Sequence, residues 1–114
     1  MNKSIYIISE GPTGPVKIGI AESIINRMIA IQMCNPRPLR LIAAFVPIDV
    51  PARQVEKKIH RSLKTYRILG EWFDLAEETA IKMTREIIGG HNIEAAEVKN
   101  LTAENPIFSL ADGT

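Results

Sequence analysis

Cysteine occurs once in this chain of 114 residues, as Cys34. No internal disulfide can form, so the fold must rest on a buried core, and the composition fits a reducing, cytoplasmic setting. Histidine occurs only as His60 and His91, at spacings unrelated to the cysteine, which does not make a zinc site. Long apolar runs are missing, and nothing approaches the ~18 residues needed to span a bilayer. The opening segment has one lysine and then "SIYIISEG", too short an apolar run for a secretory signal. Internal repeats and low-complexity stretches are also lacking. What is present is 46% hydrophobic and 24% charged residues, the ordinary balance of one soluble domain with a modest core.

A net charge of +1 conceals an uneven distribution. Residues 27–67 hold nine basic and two acidic residues, a net +7, whereas residues 71–104 hold eight acidic and three basic, a net −5. Such a split suits a surface for a polyanion on the middle of the chain. It equally suits a pair of solvated helices of unlike charge, and composition alone does not separate the two.

Periodicity and turn chemistry outline the elements. "KSIYIIS" at 3–9 reads as a strand, "EGPTGP" as a turn, and 16–20 as a second strand. Ser23 is placed to cap a helix over about 23–33, which "NPRP" ends. "LRLIAAFV" at 39–46 reads as a third strand. Asp49 and Pro51 mark the start of a helix over about 50–65, and 76–88 form another after the short "GEWFDL" connection. The order implies an α/β domain, a small three-stranded antiparallel sheet flanked by helices. Residues 1–88 form this domain. Residues 89–114 form a C-terminal extension expected to be partly mobile.

Two charged residues stand out against this pattern. Alternation puts Val16, Ile18 and Ile20 on one face of the second strand and Lys17, Gly19 and Ala21 on the other, with Tyr6 of the first strand on the latter side. A glycine beside Lys17 leaves room for close approach. On the later helix, Ala52, Val55, Ile59, Leu63 and Tyr66 form one stripe, with Glu56 at its edge and His60 one turn on. A carboxylate there, with Arg53, Lys64 and Arg67 nearby, suits a divalent metal near a phosphate, while an ordinary helical Glu–His pair accounts for it as well.

Five short motifs then occur in order: "IYII" at 5–8, "VKIG" at 16–19, Arg27 after Gly19, "VEKKIH" at 55–60 and "GEWF" at 70–73. Together they resemble the GIY-YIG nuclease superfamily, in particular the phage and bacterial branch whose second motif reads "KIG". The resemblance covers residues 5 to about 75. It matches Tyr6 to the tyrosine of the first motif, Gly19 to the glycine of the second, Arg27 to the arginine of the first helix, and Glu56 to the metal-binding glutamate. Lys17 occupies a position usually held by tyrosine, Ser4 one usually held by glycine, and Glu71 lies near one often held by asparagine.

That resemblance implies a metal-dependent endonuclease hydrolysing DNA phosphodiester bonds, with Mg²⁺ or Mn²⁺ on Glu56 and DNA as partner. Lys17 and Arg27 would stabilise the charge developing on the phosphate. Tyr6 or His60 would serve as base, Tyr6 only if cations such as Lys17 lower its pKa from near ~10. Arg37, Arg40, Arg53, Lys64 and Arg67 would contact the DNA backbone, with Gly19 and Glu71 in supporting roles. The alternative is a catalytically silent module that keeps the fold and binds DNA or a protein. Trp72 and Phe73 read as core plugs, and no membrane is expected as a partner.

Overall fold

The computed structural model describes residues 3–98. Six strands form one sheet in the order β4-β5-β2-β1-β3-β6, every neighbouring pair antiparallel. They are β1 Ser4–Ser9, β2 Val16–Ala21, β3 Arg40–Pro47, β4 Arg67–Leu69, β5 Trp72–Phe73 and β6 Ala95–Glu97. Three α-helices, α1 Ile24–Met33, α2 Ala52–Ser62 and α3 Glu77–Gly90, cover its faces. The antiparallel α/β arrangement is as the sequence implies, but the sheet has six strands and not three. The additions are short strands of two or three residues flanking β2 and β3, too brief to show a period of two. Among the described residues, no helix is long and apolar enough to cross a membrane.

Strand β1 is buried on both sides, which makes it the centre of the sheet. Ile5 and Ile7 point into a core shared with Val16, Ile18, Val55, Ile59, Ala80 and Ile88, so α2 and α3 lie on that face. Tyr6 and Ile8 join Ala21, Met28, Leu39 and Leu41 on the face covered by α1. Tyr6 pairs with Gly19 and Ile8 with Lys17, so these residues share the α1 face. On β3 the register slips between Ile7 and Ile8, leaving Ile42 as the extra residue of a bulge.

Local chemistry sets the helix ends. Ser23 caps α1, its hydroxyl accepting from the Asn26 N–H at 3.2 Å. For α2 the cap is Pro51 and not Asp49: the Pro51 carbonyl accepts from the N–H groups of Gln54 and Val55, with no side-chain cap. The apolar stripe of α2 continues past its last turn to the buried Leu63 at the start of a 3-10 turn, Lys64–Tyr66. Ala52, Val55, Ile59 and Leu63 are all buried, and each of the larger three is worth roughly 1.5–3 kcal/mol of burial. That anchorage prevents α2 from rolling, and so fixes where Glu56 sits.

The β4–β5 hairpin turns at Gly70 and Glu71, with Gly70 at φ 57°, the left-handed region that glycine adopts without strain. Strand β6 extends the sheet beyond β3, and Arg85 grips Glu97 with two hydrogen bonds of 2.8 and 2.6 Å. Of the expected C-terminal extension, residues 99–114 lie outside the described residues.

Candidate functional site

Strand β5 pairs with β2 only at Val16 and Lys17. Beyond that point the edge of β2 belongs to side chains and to the hairpin turn. The Ile18 N–H donates to the Glu71 carbonyl at 3.0 Å, and His60 Nε2–H donates to the Ile18 carbonyl at 2.8 Å. These two bonds bring the Glu71 turn and helix α2 to one stretch of β2. A cleft of about 380 Å³ opens there, walled by Tyr6, Lys17, Arg27, Arg53, Glu56 and Glu71, with Lys3, Ile20 and Ile31 completing it.

Gly19 forms part of the floor. A Cβ at this position would lie 2.5 Å from Tyr6 Oη and 2.7 Å from Glu71 Oε1. Both groups therefore occupy space that a side chain would take, and only glycine admits them together.

The charges in the cleft are unevenly satisfied. Lys17 Nζ lies 3.0 Å from Glu71 Oε1 and 5.9 Å from the centroid of the Trp72 ring. Glu56 Oε2 is buried and no donor reaches it. Burial first, then repulsion from Glu71 and a proton shared with it, push the Glu56 carboxyl up to about 7, against the opposing pull of Arg53 and Lys17. The phenol of Tyr6 is raised above its ordinary value, mainly by burial and by the nearby Glu71, with Arg27 pulling the other way. Tyr6 thus stays protonated at neutral pH and has a proton available to donate. The lowering by neighbouring cations that a base role for Tyr6 would require does not occur, because burial and then the two carboxylates outweigh them.

The structure brings Tyr6, Lys17, Arg27, Arg53, Glu56 and Glu71 together around one cleft with Gly19 beneath them. His60 stands behind the wall: its Nε2 is held by the Ile18 carbonyl, and its ring packs on Phe73 at a centroid distance of 5.1 Å. Arg37 and Arg40 lie at the other end of β1, within 3.7 Å of Glu10 and 3.9 Å of Glu77 respectively. Lys64 and Arg67 are exposed on the 3-10 turn and β4, where Arg67 Nε–H donates to the Gly70 carbonyl at 2.8 Å. Glu71 is the residue whose place the sequence conceals. It reads as part of a connection, yet the hairpin turn sets its carboxylate against that of Glu56; the glycine before it is the one signal of a turn.

Two carboxylates, one with an oxygen that lacks a donor, present a set of hard oxygens once the proton they share is released. This donor set fits Mg²⁺ or Mn²⁺, which take few protein ligands and keep several waters. Among the described residues, no cluster of three or more histidine, cysteine or acidic side chains offers an all-protein cage. Around the pair, Lys17, Arg27 and Arg53 supply the positive charge that a phosphate group needs.

A family model matches residues 3–88, and the family is the T5orf172 domain. The match covers most of the chain, which therefore belongs to the T5orf172 domain family. This corrects the GIY-YIG assignment: the model that fits is T5orf172, matched across a whole domain, whereas the resemblance rested on five short motifs that already departed at Ser4 and Lys17. No curated protein and no solved structure matches the chain.

Proposed function

We propose that this T5orf172 domain is a divalent-metal-dependent endonuclease that hydrolyses DNA phosphodiester bonds in the cleft at the open edge of β2. The observation that carries the reading is the Glu56 carboxylate. Its buried Oε2 has no donor, a second carboxylate adjoins it, and four cationic side chains, Lys3, Lys17, Arg27 and Arg53, share the same cleft. An unpartnered carboxylate oxygen costs stability, so its retention here is better explained by a ligand than by packing.

Glu56 and Glu71 would hold the Mg²⁺ or Mn²⁺ ion, which supplies charge neutralisation at the phosphate and a more acidic water. The chain's own groups do the rest. Lys17 and Arg27 face the cleft from β2 and α1 and bind the non-bridging phosphate oxygens, where negative charge grows in the transition state. Arg53, on the exposed side of α2, takes a neighbouring phosphate. Tyr6 donates its hydroxyl proton in a hydrogen bond to the reacting group or to a water, since its phenol keeps that proton at neutral pH. His60 acts through β2: by holding the Ile18 carbonyl it fixes the strand next to Gly19.

The test is nicking of supercoiled plasmid with Mg²⁺, with Mn²⁺ and with EDTA. Nicking that requires the metal and falls roughly 10²-fold in Lys17→Met, with partial recovery in Lys17→Arg, is the expected result. Salt-sensitive DNA binding with no nicking under any of these conditions would instead assign the domain to binding alone.

A further inference from the structure

Lys17, Arg27 and Ile31 line a second cavity besides the carboxylate cleft. It measures about 300 Å³, opens to solvent between α1 and β5, and is lined also by Trp72, Ala30, Cys34 and Asn35. Its size is at the lower end of small-molecule pockets, and its walls are mostly apolar. One side is the half-buried Trp72 ring, and the other is the helix face of Ala30 and Ile31.

We propose that this cavity seats an unstacked nucleobase next to the phosphate held by Lys17 and Arg27, so that the substrate is DNA with an unpaired nucleotide at the cleavage point. The proposal rests on the endonuclease reading for the identity of the neighbouring cleft. Three features favour a base over any other occupant. The two cations are common to both spaces, so a phosphate between them has the carboxylates on one side and the cavity on the other. A nucleoside attached to that phosphate then falls into the apolar space. Trp72 offers an aromatic surface for stacking, and its ring already carries Lys17 Nζ at 5.9 Å, which ties the stacking platform to the phosphate-binding group. The polar end of the cavity is set as well: Asn35 Oδ1 accepts from the Arg37 N–H at 3.0 Å, which leaves the Asn35 Nδ2 amine as the donor for an acceptor on a base edge. A base paired in a duplex cannot enter such a space. Extrusion costs least where the base is already unpaired, which gives the preference for single-stranded or mismatched positions.

Trp72 is the sole tryptophan of the chain, so its fluorescence reports the cavity directly. The experiment titrates the protein in EDTA with a fluorescently labelled single-stranded oligonucleotide. It then repeats the titration with the fully paired duplex and with an oligonucleotide of abasic sites, following anisotropy for binding and Trp72 emission for stacking. The expected result is quenching by the single strand, little by the duplex, and none by the abasic strand although it still binds. Ala30→Leu, an exposed helical position that fills the cavity without disturbing the core, should weaken single-strand binding about tenfold while leaving the thermal midpoint in place. Equal Trp72 emission with single-strand and abasic DNA, or unchanged affinity in Ala30→Leu, would overturn the base seat. Metal-dependent plasmid nicking is scored separately: nicking without quenching removes the base seat alone, and quenching without nicking removes the endonuclease reading alone.

Discussion

Glu77 and Glu56 are carboxylates on helices that cover the same face of the sheet, but they are completed in different ways. Glu77, in the first turn of α3, accepts from the hydroxyl of the buried Ser9 and pairs with Arg40 at 3.9 Å. Ser9 in turn accepts from the Gly11 N–H at 3.2 Å. Every charge there has a protein partner, and the arrangement locks the start of α3 to the end of β1. Glu56 sits on α2 with a buried oxygen that no donor reaches, beside a second carboxylate. A structural carboxylate is satisfied by its own chain, whereas Glu56, which on the proposed function is reserved for a ligand, is left unfinished and held in place by other means. For Glu56 those means are the buried stripe of α2 and the His60–Ile18 bond.

Replacing Glu56 tests this contrast most severely. Glu56→Gln keeps the shape but removes the charge, and metal-dependent nicking should fall by roughly 10³-fold, the equivalent of several kcal/mol of charge stabilisation. DNA binding in EDTA should persist or tighten, because a repelling charge has gone. Glu71→Gln should lose less, since Glu71 is also tied to Lys17 at 3.0 Å. Loss of nicking in Glu71→Gln with full activity in Glu56→Gln would make the hairpin-turn carboxylate, and not the helical one, the ligand that the reaction needs.

Glu77→Ala should do the reverse. It leaves the half-buried Arg40 without its carboxylate and returns the Ser9 hydroxyl to the Gly11 carbonyl at 3.2 Å, a loss of about 1–3 kcal/mol of stability. Specific activity at a temperature where the variant is folded should stay at the wild-type level. Chemical denaturation alongside the nicking assay separates the two effects. Nicking that drops in step with that of Glu56→Gln would mean that the paired end also takes part in catalysis.

Acidity sharpens the same comparison. The Glu56 carboxyl is raised in the folded protein to about 7 from an ordinary 4.5. Between these values the native state holds a proton that the unfolded chain has released. Stability from this group is therefore complete below pH 4.5 and is lost as pH rises to about 7. In EDTA the loss should be on the order of 1–2 kcal/mol over that window, smaller than the shift alone implies because the residue is only half-buried. Denaturation midpoints across the pH range should show this slope in the wild type and in Glu77→Ala. The slope should vanish in Glu56→Gln, and its persistence there would place the raised group elsewhere.

Much of this contrast is readable in the sequence, and the unreadable part has physical causes. Alternation in "PVKIGIA" places Lys17 and Gly19 on the face of Tyr6, as the β1–β2 register has them. The helical stripe of α2 places Glu56 at its edge, as does the burial of Ala52, Val55, Ile59 and Leu63. Strands β4 and β5 are too short for periodicity, so the turn that brings Glu71 to Glu56 is invisible without the fold. The direction of the Tyr6 shift depends on tertiary burial and on that same turn, and the nearby Lys17 and Arg27 suggest the opposite sign. Charge counting has a similar limit. It gathers Arg27, Arg37, Arg40 and Arg53 into one basic segment, but the fold sends the first and last to the cleft and the middle two to acidic partners.

That division of the arginines leads to the smallest expected effect. Arg53 lines the cleft, whereas Arg37 is exposed at the other end of the sheet, 3.7 Å from Glu10, in a surface pair worth at most about 1 kcal/mol. Removing one cation that neutralises a phosphate should lower the slope of log affinity against log salt by about 0.9 on duplex DNA and about 0.7 on a single strand. Arg53→Ala should show one such step and Arg37→Ala none. The measurement belongs in the Glu56→Gln background with EDTA, where the influence of Arg53 on Glu56 ionisation drops out and only its hold on the phosphate remains. An equal step in both variants would show that DNA runs across both ends of the sheet. Glu10 would then be a partner that Arg37 gives up on binding, and the boundary between the completed and the unfinished region would no longer be the boundary of the nucleic-acid surface.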